Sequence, residues 1–250
     1  MSRRKSYKKR RNFGWIVLLL IFVVTVVVWW VAAIVPPKIG VWLFACVIVP
    51  VGLMMYLAHV LWKFLDRKRI DGTREMLESR DFEVTNDVSR EWLGPYYFLD
   101  QWIGLMSTGK VRWGAKSDDR MLLEHEGWVA QGKAKVLKRR TIMVWLRDEP
   151  KFKGAYFIRA NAQDRKSIIR ENDIDWTGDD QFDKHWLVVN LPEEANLSSS
   201  MRDILMSAPK GEEWDFGAGY TVLTFEGSLD SEELASFMEH GESVMNTASS

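Results

Sequence analysis

The sequence predicts an α+β fold, with an N-terminal transmembrane helical hairpin followed by a mainly antiparallel β domain carrying two late helices. Three observations lead there: two long uncharged apolar runs ahead of residue 63, apolar and polar residues alternating through the middle of the chain, and two capped segments of helical periodicity near its end. At 250 residues, 47% hydrophobic and 27% charged, the chain has the apolar material for a packed domain and is not a disordered polymer. A single cysteine, Cys46, excludes an intrachain disulfide framework, and four scattered histidines leave little for a metal centre.

Residues 13–35 run for 23 positions without a charge, enough at 1.5 Å per residue to cross a hydrocarbon core of about 30 Å. A second run, 41–62, has only Cys46, Tyr56 and His59 as titratable groups, and Pro36-Pro37-Lys38-Ile39-Gly40 breaks the helix between the two. The first run is longer than the core of a signal peptide and lacks a convincing small-x-small cleavage site, so a membrane span is favoured over a cleaved leader. Arg3, Arg4, Lys5, Lys8, Lys9, Arg10 and Arg11 precede the first span and Lys63, Arg67, Lys68 and Arg69 follow the second, whereas the connecting loop carries Lys38 alone. Both termini are therefore expected in the cytoplasm. Trp15 and Trp62 fall at the inner interface, and Trp29, Trp30 and Trp42 at the outer one. His59, one turn from Trp62, reads as an interfacial histidine, and Pro50 and Gly52 as a kink or a close helix approach. The expected divisions are a basic tail (1–12), the hairpin (13–62), a helical stalk (63–80) with contacts from Leu65, Ile70, Met76 and Leu77 and a break at Gly72, and a cytoplasmic domain (81–250).

Within the domain, alternation predicts strands over residues 110–116, 129–137, 141–146, 155–159, 167–175, 185–191 and 220–225. Ser200 and Asp203 have capping-box spacing ahead of a short helix closed by Pro209. Asp230 and Glu233 repeat the spacing before a stripe of Leu234, Phe237, Met238, Val244 and Met245. Trp176, Trp186, Val188, Tyr220, Val222, Phe225, Leu234 and Phe237 are the expected core. Residues 96–106 fit a strand and turn, a buried helix, or an aromatic surface resting on the membrane.

Charge is strongly polarised. Residues 1–69 hold twelve bases against one acid, Asp66, while 70–250 net −11 and 171–250 net −15. An acidic domain argues against nucleic-acid binding. Its one basic cluster, Lys133, Lys135, Lys138, Arg139 and Arg140, reads first as a protected sheet edge and second as a membrane-surface patch beside the cations that flank the spans.

Chemistry-bearing motifs are fragmentary. Gly104 to Lys110 satisfies GxxxxGK, but Val111 replaces the Mg²⁺-binding hydroxyl and a strand-like segment follows where a helix is needed. Asp173, Asp175, Asp179 and Asp180, with Gly178, resemble half of a Ca²⁺ loop. Lys184 stands where the bidentate Glu belongs, so a solvated acidic hairpin is favoured over a metal site. The DxDxT within that run lacks a long apolar strand before it. Asp215-Phe216-Gly217 reads as a turn, and His125, His185 and His240 lack partner motifs. No catalytic residue and no cofactor is expected.

The segments Asp173-Ile-Asp-Trp176, Phe182-Asp-Lys-His-Trp-Leu-Val-Val189, Met201-Arg-Asp-Ile-Leu205, Trp214, Gly219-Tyr-Thr-Val222 and Glu233-Leu-Ala-Ser-Phe237 together resemble a broad group of uncharacterised bacterial two-span membrane proteins with a cytoplasmic domain of unknown function. The resemblance implies the hairpin-plus-domain layout and a bacterial inner membrane, and it transfers no site residue. The expected role is a membrane-anchored interaction or regulatory module whose acidic surface meets a basic protein partner. The alternative is a metal-dependent enzyme acting on a membrane-proximal or phosphorylated substrate through the four aspartates. A transporter component is disfavoured, because the spans carry no paired charge.

Overall fold

The computed structural model describes residues 37–99, 109–131, 134–147, 149–159, 162–195 and 197–249. The chain separates into two compact units, Met1–Lys68 and Arg69–Ser250. Helix α1 (Pro37–Glu78) runs 42 residues, about 63 Å. It opens on Pro37, where the missing donor costs nothing, and continues through Pro50, Gly52 and Gly72, so the break expected at Gly72 does not occur. Among the described residues no helix is long and apolar enough to cross a membrane. The first predicted span, 13–35, and the seven cations from Arg3 to Arg11 lie outside the described residues. Side chains of α1 are described from Val51 onward, which leaves 51–62 of the second span, about 18 Å of helix.

In the second unit, among the described residues, eight strands form one antiparallel sheet in the order β1-β2-β3-β4-β8-β7-β5-β6. They are β1 (Glu83–Thr85), β2 (Gly109–Lys116), β3 (Arg120–Gln131), β4 (Ala134–Trp145), β5 (Tyr156–Ile158), β6 (Leu187–Val189), β7 (Glu212–Phe216) and β8 (Thr221–Glu226). The helices are α2 (Arg90–Leu93), α3 (Ala162–Glu171), α4 (Asp180–Asp183), α5 (Ser199–Ser207) and α6 (Ser231–Ala248).

Strand parity sorts the core onto two faces. One face presents Trp113, Ala115, Leu122, Met143, Trp145, Leu223, Phe225, Trp214 and Phe157 to Leu77 of α1, Met201 and Leu205 of α5, and the buried stripe of α6. The α6 stripe is the predicted one, and both bonds of its capping box form, with Asp230 accepting from the Glu233 amide at 2.9 Å. Gly241 lets α6 close on the sheet, since a Cβ there would lie 2.7 Å from the Trp145 ring. The opposite face buries Val111, Met121, Leu123, Ile142, Val144 and Val222 under Leu93, Tyr96 and Leu99. Of 96–106 only 96–99 are described; they are helical, with Tyr96 and Leu99 buried and Tyr97 and Phe98 half-buried.

Several expectations need correction. Residues 120–128, read as unassigned, belong to β3, and the strand expected over 129–137 instead crosses the β3–β4 reversal, where Gln131 pairs with Ala134. Residues 162–171 are helix α3, not strand. The adjacent Ile168 and Ile169 suggested β structure, but six of the ten residues are strong helix formers. Residues 212–216 form β7, with the turn after Phe216 rather than at Asp215; Glu212 facing inward disguised the alternation. Helix α5 is capped by Ser198, not Ser200, through a 3.2 Å bond from the Met201 amide. Leu65 is exposed while Ile70, Met76 and Leu77 pack into the domain. Trp176 is 59% exposed, because the 173–179 segment forms no strand that would turn it inward; Tyr220 is half-buried and stacks on Phe98 at 4.3 Å. Trp186, Val188, Phe225, Leu234 and Phe237 share one face as expected, and Val222 lies on the other.

Candidate functional site

The most heavily engineered polar feature of the second unit is a seam of charge on the helix-covered face of β3. Alternate positions on that face read Leu122, Glu124, Glu126 and Trp128, buried at the first two and open to solvent at Trp128, so the pleat carries two carboxylates along an otherwise apolar stripe. Glu124 is fully buried. Its carboxylate receives both terminal nitrogens of Arg69, at 2.8 and 2.9 Å, a bidentate geometry that also leaves Arg69 Nη1 donating to the Leu229 carbonyl at 2.9 Å. Arg112, next to the β2 bulge, lies 3.7 Å from Glu124 and 3.8 Å from Glu126, and Arg139 closes on Glu126. Three guanidiniums thus converge on two carboxylates along this face. Arg69 thereby fastens the end of α1 to the sheet and to the loop before α6.

Arg69 was expected among the cations that flank the membrane. Its side chain is 8% exposed and its charge is spent on Glu124. Lys63, Arg67 and Lys68 are exposed. In the second cluster Lys133 lies outside the described residues. Lys135 sits in β4, Lys138 pairs with Glu226 at 3.0 Å, Arg139 pairs with Glu126, and Arg140 stands opposite Glu226 in the ladder. The cluster is therefore partly neutralised by its own sheet.

The four aspartates are put to separate uses. Asp175 accepts the Leu191 amide at 2.7 Å. Asp179 caps α4 by accepting the Gln181 and Phe182 amides, both at 3.0 Å, and meets Arg202 at 3.2 Å. The Phe182 amide first and Arg202 next hold the Asp179 carboxyl below its ordinary range. Asp173 and Asp180 point into solvent. Among the described residues no three His, Cys, Asp or Glu side chains gather for a metal ion. Comparison of the chain with protein-family models, curated proteins and solved structures found no match.

A second buried set joins β7 to α6. Glu212 Oε1 accepts from Trp214 Nε1 at 2.7 Å and lies 2.9 Å from His240 Nε2, with Glu212 fully enclosed. Nearby, Arg159 donates to the Leu205, Met206 and Ala208 carbonyls and closes the C-terminal end of α5; burial lowers its pKa while the Glu212 charge works the other way. These groups bind elements to one another. An open depression bordered by Arg147, Glu149, Pro150, Lys151, Ala248 and Ser249 has its carboxylate, Glu149, already taken by Arg147 at 3.2 Å and Ser249 at 2.9 Å.

Sequence reasoning passed over Glu124, Glu126, Arg112 and Glu212. The signal was present in Leu122-Leu-Glu124-His-Glu126-Gly-Trp128, where acids hold the alternate positions that belong to the core face.

Proposed function

We propose that the chain is a membrane-anchored cytoplasmic interaction module: a hairpin over 13–62 holds the α+β domain at the inner face of a bacterial membrane, with both termini in the cytoplasm. The observation that carries the reading is the described part of α1. Leu53, Met54, Met55, Tyr56 and Leu57 are all more than half exposed, and five consecutive residues sweep more than a full helical turn. Leu61, Trp62, Phe64 and Leu65 continue the pattern. A helix apolar on every face is stable where its surroundings are apolar too, and the sequence continues that character back to residue 41.

The domain contributes the binding surface. Its last third nets −15, and Asp173, Asp180, Glu193, Glu194, Asp203, Glu232 and Glu239 are exposed, which suits a protein partner with a basic face. A periplasm-active reporter placed at residue 38 and again at residue 250 tests the arrangement. Activity at 38 and none at 250 is expected; the reverse overturns the orientation, and loss of the chain from membranes washed in alkaline carbonate overturns the anchor.

A further inference from the structure

We infer that Trp176 anchors a docking surface for an arginine- or lysine-bearing segment of a partner protein, with the indole receiving a cation and the surrounding carboxylates framing it. The inference rests on the interaction reading proposed above and names the place and the chemistry of the contact. Trp176 is 59% exposed, whereas Phe182 and Trp186 a short way along the chain are buried. It is nevertheless held from both sides. The Asp175 amide donates to the Val188 carbonyl of β6 at 2.9 Å, and the Asp175 carboxylate accepts the Leu191 amide at 2.7 Å. On the other side the Thr177 amide and hydroxyl both donate to Asp183 Oδ1, at 3.2 and 2.8 Å, and Gly178, with φ +78°, turns the chain into the cap of α4. An indole displayed on a backbone fixed at both flanks gives up little freedom when a partner covers it, and tryptophan is enriched among the residues that dominate such contacts.

Charge chooses the occupant. Residues 171–203 hold nine acids against Lys184 and Arg202, and Arg202 is engaged with Asp179 at 3.2 Å. Asp173 and Asp180 stand in solvent to either side of Trp176 along the chain, and Glu193 and Glu194, also exposed, follow Leu191, whose amide is bonded to Asp175. These carboxylates attract cations and repel the anionic headgroups among which an exposed tryptophan would otherwise settle. The cation–π pairs within the second unit lie on Tyr97, Trp92, Phe82 and Trp186, and among the described residues no arginine or lysine of the chain covers the Trp176 ring. One open indole face with acids spread around it suits a guanidinium or ammonium carried on a longer chain, whose further cations meet the acids.

The test uses the full chain in phosphatidylcholine nanodiscs, titrated into a fluorescein-labelled peptide of four arginines spaced by serines and into its counterpart with citrulline for each arginine, with binding read by anisotropy. The arginine peptide should bind and the citrulline peptide should not. Trp176→Ala should weaken binding about tenfold or more, and Trp176→Phe should fall between, since phenylalanine is the poorer cation acceptor. Asp173→Asn with Asp180→Asn should weaken it about threefold and flatten its dependence on salt. Melting temperatures should stay level, because all three side chains are exposed. Should Trp176→Ala melt lower, Trp176→Phe decides, and affinity equal to the parent's overturns the inference. Binding undiminished in Trp176→Ala overturns it too, while leaving the acidic surface as a partner's target. Equal binding of the two peptides overturns the basic partner itself, and this inference with it. Indole emission, taken as parent minus Trp176→Phe, that moves to the blue in the bilayer but not with peptide assigns the residue to lipid and also overturns the inference.

Discussion

Arg69 and Lys68 are neighbours in a basic run, yet only one of them keeps its charge at the surface. Lys68 remains exposed, while Arg69 turns inward to the carboxylate of Glu124, which has no exposed surface of its own. Two charges removed from water recover their solvation only in a well-formed pair, so removing one partner costs more than removing both. Arg69→Met should destabilise the domain by about 3–5 kcal/mol, toward the lower end because Arg112 remains 3.7 Å from Glu124. Arg69→Met combined with Glu124→Leu should cost clearly less. Denaturant unfolding of the full chain in micelles, followed by exchange protection of β3, separates the two; equal losses would show that packing rather than a stranded charge sets the penalty. Asp215 offers the converse case. Burial raises its carboxyl pKa above the ordinary value of 3.8, so the folded state holds its proton more tightly than the unfolded state. Stability from this group is therefore present below that ordinary value and falls as pH rises through the raised one. Asp215→Asn should flatten the decline and raise the melting temperature at pH 7. A variant whose pH–stability curve superimposes on the parent's would contradict this.

At the scale of elements, the acidic loop and α4 form one local device. The loop ends in Asp179, the cap of α4, and Phe182 on that helix plugs the core beside Trp186, with ring centroids 6.2 Å apart. Because Asp175 and Asp179 serve amides and Arg202 while Asp173 and Asp180 face solvent, millimolar Ca²⁺, Mg²⁺ or Mn²⁺ should leave the melting temperature nearly unchanged. Asp175→Asn with Asp179→Asn should still fold, since an amide oxygen can accept the same backbone bonds. A rise of several degrees with metal that vanishes in the double variant would restore the metal-enzyme alternative. The elements that were legible in the sequence are those whose local chemistry agrees with their tertiary use: α6, with its capping box and stripe, and β8, whose residues Thr221 to Phe225 are all buried. Those that were misread carry polar residues inward or apolar residues outward. β3 and β7 hide Glu124 and Glu212 in their core faces, α3 puts Ile168 and Ile169 on a largely polar helix, and Trp176 stands in solvent where its size argued for the interior. The acids of the charged seam left a trace in their alternate spacing, but their partner did not, since pairing across 55 residues, as between Arg69 and Glu124, leaves no mark in local sequence.

For the molecule as a whole, the order β1-β2-β3-β4-β8-β7-β5-β6 divides the sheet into an early meander and a late half that meet along a single seam, β4 against β8. All the chain from 146 to 220 intervenes, 75 residues of it. At about 5–20 residues per second on the ribosome, β4 waits roughly 4–15 s for its second neighbour. During that time its open edge carries Ile142, Met143, Val144 and Trp145, an uncharged β-prone run of the kind that recruits foreign strands. Newly made chains that stall before residue 226 would be left with this edge bare. The vulnerable moment in the protein's life is thus its birth, and a chaperone waiting at the exit tunnel would find its grip on Thr141 to Trp145.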